Sequence, residues 1–269
     1  MRYQIDHDIH IHSRISLCSG HPEQTTQNIL QYAVKNGLKH ICLTDHYWDS
    51  HLPVANNFDF YTIQDYDRIA SALPLPQAEG VTFHFGCETD MDKFFTVGVS
   101  KEEIDRFEFI IVPTTHLHMP GFTIDEPDFS LERRAALYVE RFEKLLDADL
   151  PFEKVGIAHL SCSLMAPAAR EDHLTVLDMV SDEDYTRLFT RAAKVGMGIE
   201  LNIPIFSYSE EELPRILRTY RIARACGCKF YLGSDAHTPE GLAAAMEGFQ
   251  RMIDLLELEE NDKFRPFAE

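Results

Sequence analysis

Two histidines separated by a single residue end the first predicted strand. His10 and His12 lie in the stretch "DIHIHS", which closes an apolar run near the start of the chain. Residues two apart in a strand project from the same face, so these two imidazoles can contact one metal ion. Alternatively, both are ordinary polar histidines near a strand end, and the pair alone leaves the two interpretations open.

Other residues with metal-ligand chemistry end later predicted strands. They close the apolar runs "CLTDH", "FHFGCE", "FIIVPTTH", "VGIAH" and "YLGSDAH", and they are His46, Glu88, His116, His159, Asp235 and His237. Random placement would not bring so many histidines to strand ends while the helices contain almost none. Imidazoles and carboxylates together form a ligand set that suits zinc, manganese or iron. We therefore expect a metal site.

The elements that must position these residues alternate along the chain. About seven predicted strands are separated by helical segments, such as "TTQNILQYAVKNG", which should end at Gly37. This alternation predicts an α/β fold of parallel strands with helical crossovers, either an open sheet or a barrel. In both, the active site lies at the carboxyl ends of the strands. Residues 1–269 are expected to form one domain, with long loops at about 47–62 and 119–130 over the site.

Composition excludes several classes of partner. The chain has 25 Lys and Arg against 44 Asp and Glu, a formal charge of -19, which disfavours nucleic acids and anionic membranes. No run approaches a membrane helix, and no signal peptide pattern is evident. Six scattered cysteines without a CxxC pair indicate reduced thiols. We expect a cytoplasmic protein that acts on a small molecule.

The motifs, in this order, resemble those of the PHP family, named for polymerase and histidinol phosphatase. The resemblance extends from Asp8 to about Ala245. It implies a distorted (β/α)7 TIM-like barrel that binds two or three divalent ions. The ligands that it implies are His10, His12, His46, Glu88, His116, His159, Asp235 and His237, with Glu88 as the bridging carboxylate.

The family usually has a further histidine or aspartate in the loop after HxH. Here that loop reads "SRISLCSGH" and offers Cys18 or His21. We expect His21 to be the ligand, because an imidazole suits a mixed site of hard oxygens and imidazoles better than a thiolate.

The resemblance implies a metal-dependent phosphoesterase that hydrolyses a small phosphomonoester, with histidinol phosphate as the best single candidate. Divalent ions would make hydroxide available from a bound water and neutralise the phosphoryl oxygens. Asp235 or His237 would supply a proton to the leaving group. The candidate substrate-binding residues are Arg14, His118, Arg170 and Asn202.

Two alternative functions remain. The first is another metallohydrolase: a phosphodiesterase, an exonuclease or an amidohydrolase-like enzyme. No lysine ends a strand, which weighs against the amidohydrolase type, and the charge of -19 weighs against a nuclease. The second is a non-enzymatic metal-binding module, which the full set of ligands disfavours.

Overall fold

The computed structural model describes residues 1–267, so the last two residues of the predicted domain, 268–269, lie outside the described residues. The strands, all paired in parallel, are β1 (His7–Ile11), β2 (His40–Leu43), β3 (His46–Tyr47), β4 (Thr82–Phe85), β5 (Cys87–Thr89), β6 (Ile110–Pro113), β7 (Val155–Ala158), β8 (Gly198–Leu201) and β9 (Lys229–Leu232). Only Thr44 and Asp45 separate β2 from β3, and only Gly86 separates β4 from β5. The nine strands therefore make up seven successive positions around the barrel, which we call staves. The second stave is β2 with β3, the third is β4 with β5, and both are interrupted.

The strands close into a barrel between the first and last staves. The sheet orders are β1-β2-β4 and β3-β5-β6-β7-β8-β9, so the neighbours follow the order of the chain. At the seam, Asp235 N donates to His10 O over 2.8 Å, and His12 N donates to Ala236 O over 3.1 Å. At the start of β1, the ring Nε2 of His7 accepts from Leu232 N over 3.0 Å. A side chain thus replaces a backbone acceptor there.

Helices occur between the strands and after the last strand. They are α1 (Thr26–Asn36), α2 (Asp59–Thr62), α3 (Tyr66–Ala70), α4 (Leu131–Asp147), α5 (Arg170–Met179), α6 (Asp182–Val195), α7 (Leu213–Ala225) and α8 (Pro239–Leu256). Helix α1 ends one residue before Gly37, whose φ of 67° is left-handed, a conformation that glycine adopts without steric cost. Ser130 caps α4 by accepting from Arg133 N. No helix within residues 1–267 combines the length and hydrophobicity needed to cross a bilayer.

The two segments predicted as loops pack against each other. Trp48 and Tyr61 from the first segment and Met119 and Phe122 from the second form a small hydrophobic cluster. The ring of Tyr61 stacks on Phe122 with centroids 4.8 Å apart. This cluster is separate from the main core, and it holds the loops in place beside the strand ends.

Candidate metal centre

The residues that end the first, third and last staves form a first group of candidate ligands. The Nε2 atoms of His10 and His12 lie 3.1 Å apart. Asp235 Oδ1 lies 3.0 Å from His12 Nε2 and 3.4 Å from His10 Nε2. Glu88 Oε2 lies 3.2 Å and 3.5 Å from the same two nitrogens. Four donor atoms from three staves thus face one another.

Glu88 also belongs to a second group. Its other oxygen, Oε1, lies 3.2 Å from His159 Nε2, and Glu88, His116 and His159 can offer ligand atoms within 4.8 Å of one another. The two oxygens of one carboxylate therefore face two groups, as the expected bridging role requires. Oε2 also lies 3.2 Å from His46 Nδ1, which connects Glu88 to a third group.

The third group contains a thiol. His12, Cys18, His46 and His237 offer ligand atoms within 4.8 Å of one another, and Cys18 Sγ lies 3.0 Å from His237 Nε2. His21 belongs to none of the groups found among residues 1–267, and its Nδ1 accepts from Glu23 N over 3.2 Å. The structure therefore places Cys18, and not the expected His21, beside the cluster.

Hydrogen bonds fix the rings of three candidate ligands. The Nδ1 atoms of His10, His116 and His237 lie 2.5 Å from Glu200 Oε1, 2.7 Å from Asp90 Oδ2 and 2.7 Å from the backbone oxygen of Asp235, respectively. Because each partner is an acceptor, the hydrogen-bond network assigns a proton to each Nδ1. The Nε2 lone pair then points to the cluster, which is the arrangement of metal-ligating histidines.

The electrostatics of the cluster also fit a cation. Burial by itself would lower the pKa of His12, but the carboxylates of Asp235 and Glu88 outweigh burial and raise it to about 10. For His10, burial is likewise outweighed by Glu200, Asp235 and Glu88, and the pKa is raised well above its usual value. The buried carboxylates thus require positive charge between them, and divalent ions would supply it. The donor set of imidazoles, carboxylates and one thiol fits such ions.

Two acidic residues that position the ligands were not among the predicted site residues. Glu200 accepts from His159 N through Oε2 over 2.8 Å while its Oε1 contacts His10. Asp90 Oδ2 accepts from His116 Nδ1 and, over 3.1 Å, from Tyr61 OH. A sequence signal existed for Asp90, because it follows Glu88 by two residues and shares its face of the strand.

Two of the candidate ligands have a strained backbone. His159 has a φ of 30° and Asp235 a φ of 52°, both in the left-handed region that side chains other than glycine rarely adopt. His159 directly follows β7, and Asp235 lies shortly after the end of β9, where the chain enters a loop. Such strain persists only where surrounding contacts hold it, and it is concentrated at functional sites.

A cavity of about 400 Å³ opens beside the cluster, and His118 is among its lining residues. Burial and the nearby His116 lower the pKa of His118 to about 4, so its imidazole is neutral near pH 7.

The other expected substrate contacts do not line this cavity. Arg170 is exposed and pairs with Glu212 over 3.0 Å, while the exposed Arg14 is not among the lining residues. Asn202 lines a separate cavity of about 380 Å³.

Comparisons with known proteins give a family match and a similar fold. A family model described as "PHP domain" matches residues 8–267. A search of curated proteins gives no match. Histidinol phosphate phosphatase from Lactococcus lactis subsp. lactis, solved with zinc, L-histidinol and phosphate, is similar with a TM-score of 0.56 and 14% identity over 97% of this chain and 99% of that chain. This likeness confirms the predicted barrel fold.

A second solved structure is a cryo-EM structure of archaeal ribonuclease P with mature tRNA. It matches with a TM-score of 0.36 and 12% identity over 93% of this chain and 91% of that chain, and this likeness carries no argument.

Proposed function

Because the chain belongs to the PHP-domain family over residues 8–267, we propose that it is a metal-dependent phosphoesterase that hydrolyses a small phosphomonoester. The observation that carries the proposal is the convergence of three candidate ligand groups around Glu88, whose two oxygens face different groups. Two or three divalent ions, zinc, manganese or iron, would bind there. When bound, such ions supply Lewis acidity and a nucleophilic hydroxide near neutral pH.

The residues of the chain have separate roles in this proposal. His10, His12, Glu88 and Asp235 hold one ion, and Glu88, His116 and His159 hold another. Glu200 and Asp90 fix the orientation of the histidines that they contact.

A third ion would be held by His12, Cys18, His46 and His237. Asp235 and His237 both line the cavity, and we propose that one of the two, Asp235 or His237, passes a proton to the leaving oxygen when it is not engaged as a ligand. His118, which also lines the cavity, is proposed to contact the substrate.

The proposed test is a hydrolysis assay with a panel of monoesters and diesters, with manganese, zinc and iron supplied in turn. Histidinol phosphate, which the family resemblance implies, is the first compound to assay, and the Lactococcus lactis structure contains its product. Release of phosphate from monoesters in preference to diesters would support the proposal. A preference for diesters would replace it by a phosphodiesterase, and inactivity toward all esters at full metal content would favour a binding module.

A matched pair of histidine variants tests the site assignment. His10→Ala should abolish turnover and lower the bound metal, because His10 lies within 3.5 Å of both Glu88 and Asp235. His51→Ala is the control, because the side chain of His51 is 82% exposed and, within residues 1–267, forms a hydrogen bond only with Asp49. Circular dichroism should show both variants folded. Normal activity and metal content in His10→Ala would contradict the assignment.

A further inference from the structure

The cavity beside the cluster has two chemically different parts. Its floor carries the candidate ligands, including Glu88 and Asp235. Its outer wall is apolar and is formed by residues from three separate segments of the chain, which are Phe58, Phe60, Met119, Pro120 and Leu164. A phosphoryl group at the floor would therefore place the alcohol part of a substrate against the apolar wall.

The apolar wall is held in position by its own packing. The ring of Phe60 contacts His46 edge-on, with centroids 5.2 Å apart. The ring of Phe58 stacks on the buried Phe122, with centroids 5.1 Å apart and planes at 14°. These contacts place an aromatic surface directly beside a candidate metal ligand, without any rearrangement of the loops. Aromatic rings bind well to such surfaces through burial and through stacking or edge contacts.

The wall offers no ionic partner for the alcohol part. Among residues 1–267, none of those lining the cavity is a lysine or an arginine, and the only two carboxylates, Glu88 and Asp235, lie within the ligand cluster. A charged group placed against the wall would lose its hydration without gaining a counterion, which is unfavourable. An uncharged apolar group would instead gain free energy from burial.

We propose that the alcohol part of the substrate is an uncharged group that carries one aromatic ring. This inference rests on the proposed phosphomonoesterase function and narrows it. In the reaction, a water oxygen forms a bond to phosphorus and the ester P–O bond breaks. A proton from the water passes to the leaving oxygen, so the products are the arylalkyl alcohol and inorganic phosphate. The ammonium group of histidinol phosphate has no free carboxylate to pair with on this wall.

A matched series of substrates tests the inference. Propyl phosphate, 3-phenylpropyl phosphate and 3-aminopropyl phosphate share the same reacting atoms and differ only at the far end of the alcohol. Burial of most of a phenyl ring predicts a kcat/KM for the phenyl compound on the order of 30-fold above that of propyl phosphate. The aminopropyl compound should be hydrolysed less efficiently than propyl phosphate.

Three variants locate the preference on the wall. Phe60→Ala should lower the ratio of phenylpropyl to propyl kcat/KM by about tenfold. Leu164→Asp places a carboxylate at a residue that is 36% exposed, so the fold should tolerate it, and it should raise the relative kcat/KM for the aminopropyl compound. Phe94→Ala is the control, because Phe94 is 68% exposed and does not line the cavity, and it should change neither ratio.

The outcomes separate the inference from the function on which it rests. Hydrolysis of all three compounds with no preference for the phenyl group, or with a preference for the ammonium group, would overturn the inference and leave the phosphomonoesterase intact. Inactivity toward all three compounds at full metal content would overturn the inference alone if other monoesters of the panel are hydrolysed, and it would overturn both if the whole ester panel is inert. If Phe60→Ala fails to fold, the Leu164→Asp ratio decides: an unchanged ratio for the aminopropyl compound counts against the wall as the specificity determinant.

Discussion

Cys18 gives the third candidate ligand group a chemical character that the other two lack. Its Sγ lies 3.0 Å from His237 Nε2 and within 4.8 Å of ligand atoms of His12 and His46. Thiolates favour zinc and other soft or borderline ions, whereas carboxylate and water ligands suit manganese and magnesium. We therefore expect Cys18 to make this position selective for zinc over manganese.

The magnitude follows from the number of ligands. A four-ligand structural zinc site contributes about 10–16 kcal/mol of apparent binding free energy, which is roughly 3 kcal/mol for each ligand. Cys18→Ser should therefore weaken zinc binding at this position by about 100-fold. After dialysis against a weak chelator, the variant should retain about one ion less per chain than the unaltered protein. Cys18→His should restore most of the zinc and reduce the selectivity against manganese.

Two measurements check this prediction. Competition with a chromophoric chelator gives the zinc affinity, and element analysis gives the stoichiometry. In the cobalt-substituted protein, a thiolate-to-cobalt charge-transfer band should be present and should be absent from Cys18→Ser. Cys226→Ser is the matched control, because Cys226 is half-buried and its Sγ contacts Thr186 O on the outside of the barrel. Unchanged stoichiometry and affinity in Cys18→Ser, together with a cobalt protein that lacks the band, would refute the reasoning.

Two further predictions concern residues behind the cluster. Glu200→Gln should lower metal affinity by about 10–100-fold while the fold persists, because it weakens the hydrogen bonds to the ring of His10 and to the backbone of His159. Competition with a chelator measures the loss of affinity, and Glu210→Gln, at an exposed residue, should show no loss. Arg141→Met should lower the free energy of unfolding by about 3–5 kcal/mol, because the buried guanidinium donates to three backbone oxygens and lies 3.6 Å from Asp90. Urea denaturation measures this free energy, and a decrease of less than about 1 kcal/mol would contradict the prediction.

The convergence of the candidate ligands at the strand ends could be predicted from the sequence because their positions follow from local rules. An apolar run of four or five residues is a buried strand, and a polar ligand at its end, such as Glu88 or His159, must lie at one rim of a parallel barrel. The two-residue period also places His10 and His12 on one face. No contact between distant segments is needed for these inferences, and the structure brings these side chains together.

The loop residues could not be predicted in the same way. Whether Cys18 or His21 faces the cluster depends on the path of an irregular segment, which is set by contacts such as Ser19 Oγ with the backbone oxygen of His237. Arg170 carries a charge that suits a phosphate, but its partner Glu212 lies 42 residues further along the chain. A single sequence gives no information on such pairs, so the ion pair of Arg170 with Glu212 could not be predicted from the type of charge alone.

The closure of the barrel and the candidate metal centre involve the same residues. The seam is made by hydrogen bonds from Asp235 N to His10 O and from His12 N to Ala236 O. The side chains of His10, His12 and Asp235 form the first candidate ligand group together with Glu88. Without a cation, the carboxylates in this group repel one another across the seam, although protonation of the histidines opposes this. A bound ion removes the repulsion at the place where the first and last staves meet. Metal binding at this group would therefore stabilise the seam of the barrel, and the proposed catalysis and the folding of the chain would depend on the same contacts.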